Sequence, residues 1–365
     1  MSQYKRYDYY KLYELCERVF KAVGYSDEDS HIITDVLLTS DRFGIESHGV
    51  QRLIMYMQGL KNGRINKNAH SFVVRETPVS AVMDGDDGMG QLVSNKAMQM
   101  AIDKAAQSGI GMVVVRNSCH YGIAGYYSRK AAEQGFLGIS MTNTEGLVVP
   151  TFGRHKMLGT NPIAVSMPAT PNMFHMDMST AVVPAGKMEV YDKIGKKTPE
   201  GWFVNPQGQP ATDPHEFILI RRDKTDGGLL TLGGFGELHS GHKGFGFSLL
   251  VELLCGSLSG GYNSPDVRRI PNIEKCCHMF MAIDYGMFDD KKAIEDRFSA
   301  YLQSVRDSEK AEGCPRIYIH GDKEMDNEAR VLREGALVNE ATSKEIIGIC
   351  EELGVDYGSL LREVK

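Results

Sequence analysis

The sequence predicts a mixed α/β (α+β) fold, with helical N- and C-terminal parts, a β-rich middle inserted between them, and no Rossmann fold. Three observations carry this. Apolar residues recur at helical spacing at both ends of the 365-residue chain. Between about 142 and 240 the chain is rich in Gly, Pro, Thr and Asn with short apolar runs, the texture of strands and long loops. No G-x-G-x-x-G opens a helix after a strand: GGFGEL, GMGQLV and GFGFSL all lack the third glycine.

The elements follow in order. Residues 8–62 read as helices, from Leu12, Leu15, Val19 and Val23 and then Ile32, Val36 and Leu37. Asp27 to Asp29 mark a helix start, where acids meet the positive end of the dipole. A strand pair is expected near Phe72–Arg75 and Ala81–Asp84, and a helix over 91–108. The β-branched run Gly111–Val115 predicts a buried strand. A helix at 124–134 and a strand at 137–142 come next. Helix returns at 243–258, a strand at 279–284, a charged helix at 290–310 and amphipathic helices at 326–335 and 343–354.

Bulk properties exclude several classes. A net charge of −6 without any dense Lys/Arg stripe argues against nucleic acid as a partner. The start MSQYKRYDYY has no apolar run, so no secretory signal is expected. The most apolar stretch, 245–258, is interrupted by Glu252 and too short to span a bilayer. The seven cysteines show no metal-ligand spacing, and Cys276 beside Cys277 suits neither zinc nor a usual disulfide. Reduced thiols in the cytoplasm are the simplest reading. There is no P-loop and no H-E-x-x-H, so no metal site is expected.

Several short motifs carry chemistry. In GIESHGVQRL (44–53), Ser47, His48 and Arg52 fall within six residues. If a helix begins there, His48 and Arg52 share a face. The stretch reads two ways: a serine N-cap with a solvated face, or a proton-transfer histidine beside a carboxylate-binding guanidinium. In NSCHYGIAGYY, His120 follows the strand at 111–115 and precedes a glycine-containing helix start. GTNPIAVSMPA and MDMSTAVVPAGK place Thr160 and then Asp177, Met178, Ser179 and Thr180 at turns flanking strands; simple turn chemistry is the competing reading. In HSGHKGFGFSLLVELL, His242 and Lys243 stand among glycines at a helix start. A lysine is unfavourable there for the dipole alone, but apt for a bound phosphate.

Taken together and in order, these segments are more specific than any one of them. DRFGIESHGVQRL (41–53), NSCHYGIAGYY (117–127), TNTEGLVVPTFG (142–153), LGTNPIAVSMP (158–168), DMSTAVVPAGK (177–187), GWFVNPQGQPATDP (201–214) and GHKGFGFSLLVELLCGSLSG (241–260) resemble the malate/L-lactate dehydrogenase family of the non-Rossmann type. That family includes ureidoglycolate and sulfolactate dehydrogenases, diketogulonate reductase and cyclic-imine reductases. The resemblance spans about residues 8–340.

It implies a mostly antiparallel cofactor-binding sheet at 116–289, between parts 1–115 and 290–365 of a helical substrate and dimerisation domain. It further implies NAD or NADP as cofactor, a homodimer, and a small 2-hydroxy or 2-oxo acid as substrate. L-malate is the expected substrate; ureidoglycolate, L-sulfolactate, L-lactate and cyclic imines are the alternatives, with a non-catalytic binding protein more remote.

The resemblance assigns acid/base roles to His48 or His120 and the substrate carboxylate to Arg52; from the motifs themselves, Ser47, which could orient His48 or bond a substrate oxygen, and Thr160 are added as candidates at the site. Of the two histidines, His48 is favoured because Arg52 is expected to share its helix face. Cofactor contacts are assigned to Thr144, Asp177, Met178, Ser179, Thr180 and Lys243, and the helix-start motif adds His242. Further cofactor contacts fall on Gly321, Asp322 and Glu324, in IHGDKE, where His320 replaces the family's usual proline. Malate also needs a partner for its second carboxylate; Arg116, Arg154, His155 and Lys187 are candidates.

Overall fold

Side-chain caps fix where several of the helices begin, and the computed structural model describes the chain over residues 4–193, 195–269 and 271–364. After strand β1 (Tyr4–Tyr7), Asp8 accepts from Lys11 N–H and opens α1 (Tyr9–Ala22). Ser26 does the same for α2 (Asp27–Arg42), whose first turn carries three acids. Helix α3 (Leu53–Lys61) follows two short 3₁₀ turns. Strands β2 (Phe72–Glu76) and β3 (Ser80–Asp84) lead to α4 (Gly90–Ser108) and β4 (Ile110–Ser118). Then come α5 (Ala124–Glu133), β5 (Leu137–Thr142), β6 (Ile163–Met167) and β7 (Phe174–Met178).

The glycine-rich middle holds two helices that its texture concealed, α6 (Ala185–Lys193) and α7 (Pro214–Arg222). Beside them lie the two-residue strands β8 (Phe203–Val204), β9 (Pro210–Ala211) and β10 (Gly228–Leu229). Helix α8 (Gly241–Glu252) runs on into a π turn, Leu253–Ser257. The chain ends with β11 (Cys276–Ile283), α9 (Lys291–Asp307), α10 (Asp322–Glu334), β12 (Ala336–Asn339) and α11 (Glu340–Leu353). The short strands β1 and β12, which the sequence reading missed, pair with each other.

The main sheet has seven strands in the order β2-β3-β4-β11-β5-β6-β7. Only β3 and β4 run parallel; every other neighbouring pair in it is antiparallel. It is a mixed, mostly antiparallel sheet and not a doubly wound one. The expected division at residue 115 falls inside β4, and β2 and β3, which precede it, belong to the same sheet.

Alternation along the strands puts two different cores on its faces. Val113, Val115, Phe280 and Ala282 face the small side chains Ala97, Ala101 and Ala131 of α4 and α5. Val114, Met141 and Met279 face Val251 and Cys255 of α8 and its π turn. A separate core joins α1, α2, α3 and α11 through Leu12, Leu15, Ile33, Leu37, Tyr56 and Ile346. No helix among the described residues is long and apolar enough to cross a membrane.

Candidate active site

One end of the sheet gathers most of the chemistry-bearing residues. β4 leaves it at Ser118 toward His120, β5 at Thr142 toward Thr144, and β7 at Met178 toward Ser179 and Thr180; β6 enters it after Thr160. Loops at the end of a rigid sheet can carry function without loss of the scaffold.

The stretch 44–53 is not the start of a regular helix. Glu46–His48 and Val50–Arg52 are two 3₁₀ turns separated by Gly49, whose φ of −83° and ψ of −151° are extended. Helix α3 begins only at Leu53, and no side chain caps it. Ser47 is therefore no helix cap, and His48 and Arg52 do not share a regular helix face. Glycine is needed at 49 because Asp41 comes up beneath it: a Cβ there would lie 2.1 Å from Asp41 Oδ1. Asp41 Oδ2 in turn accepts the Val50 N–H at 2.6 Å. Burial raises the Asp41 carboxyl to about 8, against the Val50 hydrogen bond. Gly49→Ala should cost roughly 1–3 kcal/mol, as over-packing does, and lower the melting temperature. An unchanged transition would mean that Asp41 swings aside freely.

The loop brings its polar groups together. Ser47 Oγ is 2.9 Å from His48 Nδ1, and Arg52 Nε donates to the Ser47 carbonyl at 2.6 Å. The His48 and His120 rings stack with centroids 5.6 Å apart and 20° between planes. Tyr56 lies 2.7 Å through its hydroxyl from His120 Nδ1, which also accepts the Gly122 N–H at 3.3 Å. A backbone N–H can only donate, so His120 Nδ1 is an acceptor and its neutral ring carries the proton on Nε2. Ser47 can donate or accept, so His48 is free to take either tautomer.

Both histidines are held neutral. Burial and the Arg52 charge lower His48 to about 4, while burial and then His48 and Arg52 lower His120 well below its ordinary value. Tyr56, one turn beyond Arg52, was not singled out from sequence, although its i+4 spacing was a usable signal.

The hydroxyl residues converge at the same end of the sheet. Thr144 Oγ1 accepts the Thr160 N–H at 3.0 Å and lies 3.5 Å from Thr160 Oγ1. Ser179 Oγ and the Thr180 N–H both donate to the Thr160 carbonyl, at 2.9 and 3.0 Å. Thr180 O accepts the Leu232 N–H, and Thr231 Oγ1 donates to Gly241 O, which ties this cluster to the start of α8. Gly241 and Gly244 press against carbonyls of the 232–234 turn, with no room for a Cβ. His242 and Lys243 stand exposed there, and Lys243 forms no ion pair among the described residues. The start of α6 also borders the site, since a Cβ on Gly186 would lie 3.9 Å from Ser47 Cβ.

The remaining expected residues lie on β7 and at the start of α10, which packs beside it. Asp177 Oδ2 accepts the Gly125 N–H at 2.7 Å at the start of α5, and burial raises its carboxyl to about 6. Met178 is half-buried at the strand end. Gly321 packs against Met173 O, with φ +104°. Asp322 is taken up by Arg306 (2.9 and 3.1 Å), Asn172 (3.0 Å) and the Ile319 N–H (3.0 Å). Although burial opposes it, those partners hold its carboxyl at about 2. Glu324 is half-buried near Asp177, whose charge it disfavours. Among the described residues no group of three or more His, Cys, Asp or Glu side chains is placed to hold a metal ion.

Known proteins resemble the chain over nearly its whole length. Residues 7–347 match the family described as malate/L-lactate dehydrogenase. The chain is 44% identical over 346 residues to a malate dehydrogenase of Pyrococcus abyssi, covering 94% of each. It is 36% identical to an L-sulfolactate dehydrogenase of Methanocaldococcus jannaschii, covering 93% of this chain and 94% of the other. The crystal structure of a malate dehydrogenase from Entamoeba histolytica superposes with a TM-score of 0.93 at 33% identity, over 97% of this chain and 99% of that one.

Proposed function

The chain belongs to the malate/L-lactate dehydrogenase family, and from that premise we propose that it interconverts L-malate and oxaloacetate with NAD or NADP. One observation carries the reading: a guanidinium with its Nε anchored on Ser47 O stands beside two stacked, neutral histidines. Arg52 keeps its terminal nitrogens for the C1 carboxylate, a fork that matches a carboxylate with two hydrogen bonds.

When Nδ1 of His48 donates to Ser47 Oγ, Nε2 is left with a lone pair to take the proton of the C2 hydroxyl. In the reverse direction the same atom returns it. His120, fixed as the Nε2–H tautomer by Gly122, donates a hydrogen bond to the C2 oxygen and polarises it without changing charge. The nicotinamide cofactor supplies the hydride chemistry.

The cofactor fits the residues at hand, and we place it in the part spanning 116–289. Thr144, Ser179 and Thr180 would meet its hydroxyl and amide groups, with Asp177 and Met178 beyond them. Gly321 and Glu324, at the start of α10, lie beside β7, while the Asp322 carboxylate is occupied by protein partners. His242 and Lys243, at the glycine-lined start of α8, would hold a phosphate. Lys243→Ala should weaken cofactor binding by about 1–3 kcal/mol, a lost charged hydrogen bond, and leave the KM for the 2-oxo acid nearly unchanged at saturating cofactor. Unchanged affinity by nucleotide fluorescence would remove the phosphate site from the start of α8.

We also propose a homodimer, because α8 and its extension expose Phe247, Leu249, Leu250, Leu253 and Leu258, each 40–53% accessible. Cytoplasmic residence accords with six buried, unpaired cysteines. The deciding experiment is oxidation of NADH and NADPH against a panel of 2-oxo acids. Nucleotide binding without oxidation of either by any of them would leave only a binding protein.

A further inference from the structure

A four-carbon substrate carries a second anionic group, and the candidates legible in sequence are spoken for. Arg116 Nε is held by Asp84 at 3.0 Å. Arg154 and His155 both pair with Asp226 on the exposed surface. Lys187 lies over the Trp202 ring, 5.0 Å from its centroid.

A different arginine stands behind the histidines. Arg268 belongs to the loop before β11, in a left-handed conformation with φ +57°. The loop is pinned at one end, where Ser264 N–H and buried Asn161 both reach Glu252, and at the other, where Arg268 N–H donates to Glu274 O. The Arg268 guanidinium sits against α3: its Nη2 is 4.0 Å from Met55 Sδ, next to Tyr56, which holds His120. Nε and Nη2 are spent on Glu274 Oε1, at 3.2 and 2.5 Å. Nη1 has, among the described residues, only an ion pair with Glu145 at 3.6 Å. Its charge reaches the site, since it is one of the causes lowering Arg52 and His120.

The carboxylates around it are shared. Glu274 also faces Arg64 at 3.4 Å. Glu145 is held more closely by Arg221, at 3.1 Å, than by Arg268. An incoming anion can therefore take Nη1 of Arg268 while Glu145 keeps Arg221, and no buried carboxylate is left unpaired.

We propose that Arg268 binds the second anionic group of the substrate, carboxylate or sulfonate, and so sets the preference for dianionic over monoanionic 2-oxo acids. This rests on the reading of the site as a 2-oxo-acid reductase. A point contact from Nη1, braced by Glu274, fixes the distance between the two anions: Arg52 takes C1 and Arg268 the far end.

The test compares oxaloacetate, 3-sulfopyruvate and pyruvate with the full-length enzyme and Arg268→Gln. The variant should lose roughly 10- to 100-fold in kcat/KM for oxaloacetate and sulfopyruvate, as for a charged hydrogen bond, and far less for pyruvate. Which dianion loses more shows which group the site is built for. Should Arg268→Gln not fold, Arg268→Lys, which keeps the charge without the fork, should show a smaller loss confined to the same two substrates. Equal losses on all three, or a wild-type enzyme indifferent to the second anion, overturn the proposal. A wild-type enzyme that reduces no 2-oxo acid overturns instead the function on which it rests.

Discussion

His48→Asn should slow turnover by roughly 10²–10⁴-fold, the range for removing a general acid/base, and erase one limb of the pH profile. The sign follows from the site. In the oxidation direction the free ring must accept a proton, so rate falls as pH drops through the pKa of His48. In the reduction direction the protonated ring is needed, and rate falls as pH rises.

Burial and the Arg52 charge place that pKa at about 4 without substrate. A carboxylate bound to Arg52 offsets the second cause, so the limb in kcat should lie above the limb in kcat/KM. His120→Asn should also slow the reaction, because a donor to the C2 oxygen is lost, but the limb should survive. The difference lies in the two Nδ1 atoms. His120 is pinned by a backbone donor, Gly122 N–H, whereas His48 faces a hydroxyl that can reverse its hydrogen bond. If the limb disappears in His120→Asn and persists in His48→Asn, the two roles are exchanged.

Much of the frame was legible because periodicity is local. The run Ile139–Met141 and the alanines of α4 announce a strand and a helix whatever they pack against. The helices α6 and α7 were lost in a stretch where Gly and Pro dominate, as in VVPAGK, and where only nine residues each carry the pattern. Strands β1 and β12 are four residues long and separated by almost the whole chain, so neither carries a signal alone.

The site divides the same way. Ser47, His48, Arg52 and His120 sit in motifs dense in polar groups and were visible. The path of the loop was not: the helix expected across 44–53 gives way to two 3₁₀ turns because Asp41, from α2, occupies the space next to Gly49. Arg268 could not be ranked either. Its place behind His120 depends on Glu274 and Met55, and one sequence contains no statement that 55, 120 and 268 meet.

Arg52→Lys should cut kcat/KM for the 2-oxo acid about 100-fold or more, a larger effect than its charge conservation suggests. Three losses act together. A lysine ammonium is a point charge and cannot offer the carboxylate two parallel hydrogen bonds. Nor can it hold Ser47 O through one nitrogen while a rigid planar group presents further donors beyond, as Arg52 does with its Nε at 2.6 Å. Freed from Arg52, the Ser47 backbone is less constrained, and with it the hydroxyl that sets the His48 tautomer.

Two lost charged hydrogen bonds at about 1.5–3 kcal/mol each exceed the roughly 2.7 kcal/mol that corresponds to 100-fold. The His48 pKa provides a second readout, because the ammonium keeps a positive charge near the ring. The acid limb of kcat/KM should therefore stay close to its place in Arg52→Lys, while in Arg52→Gln it should move up as the charge that lowers His48 disappears. A loss in kcat/KM with an unmoved limb in both variants would make Arg52 a substrate contact without influence on the proton. Unchanged kcat/KM in Arg52→Lys would take the arginine out of the site, and with it the orientation of the C1 carboxylate on which both histidine roles depend.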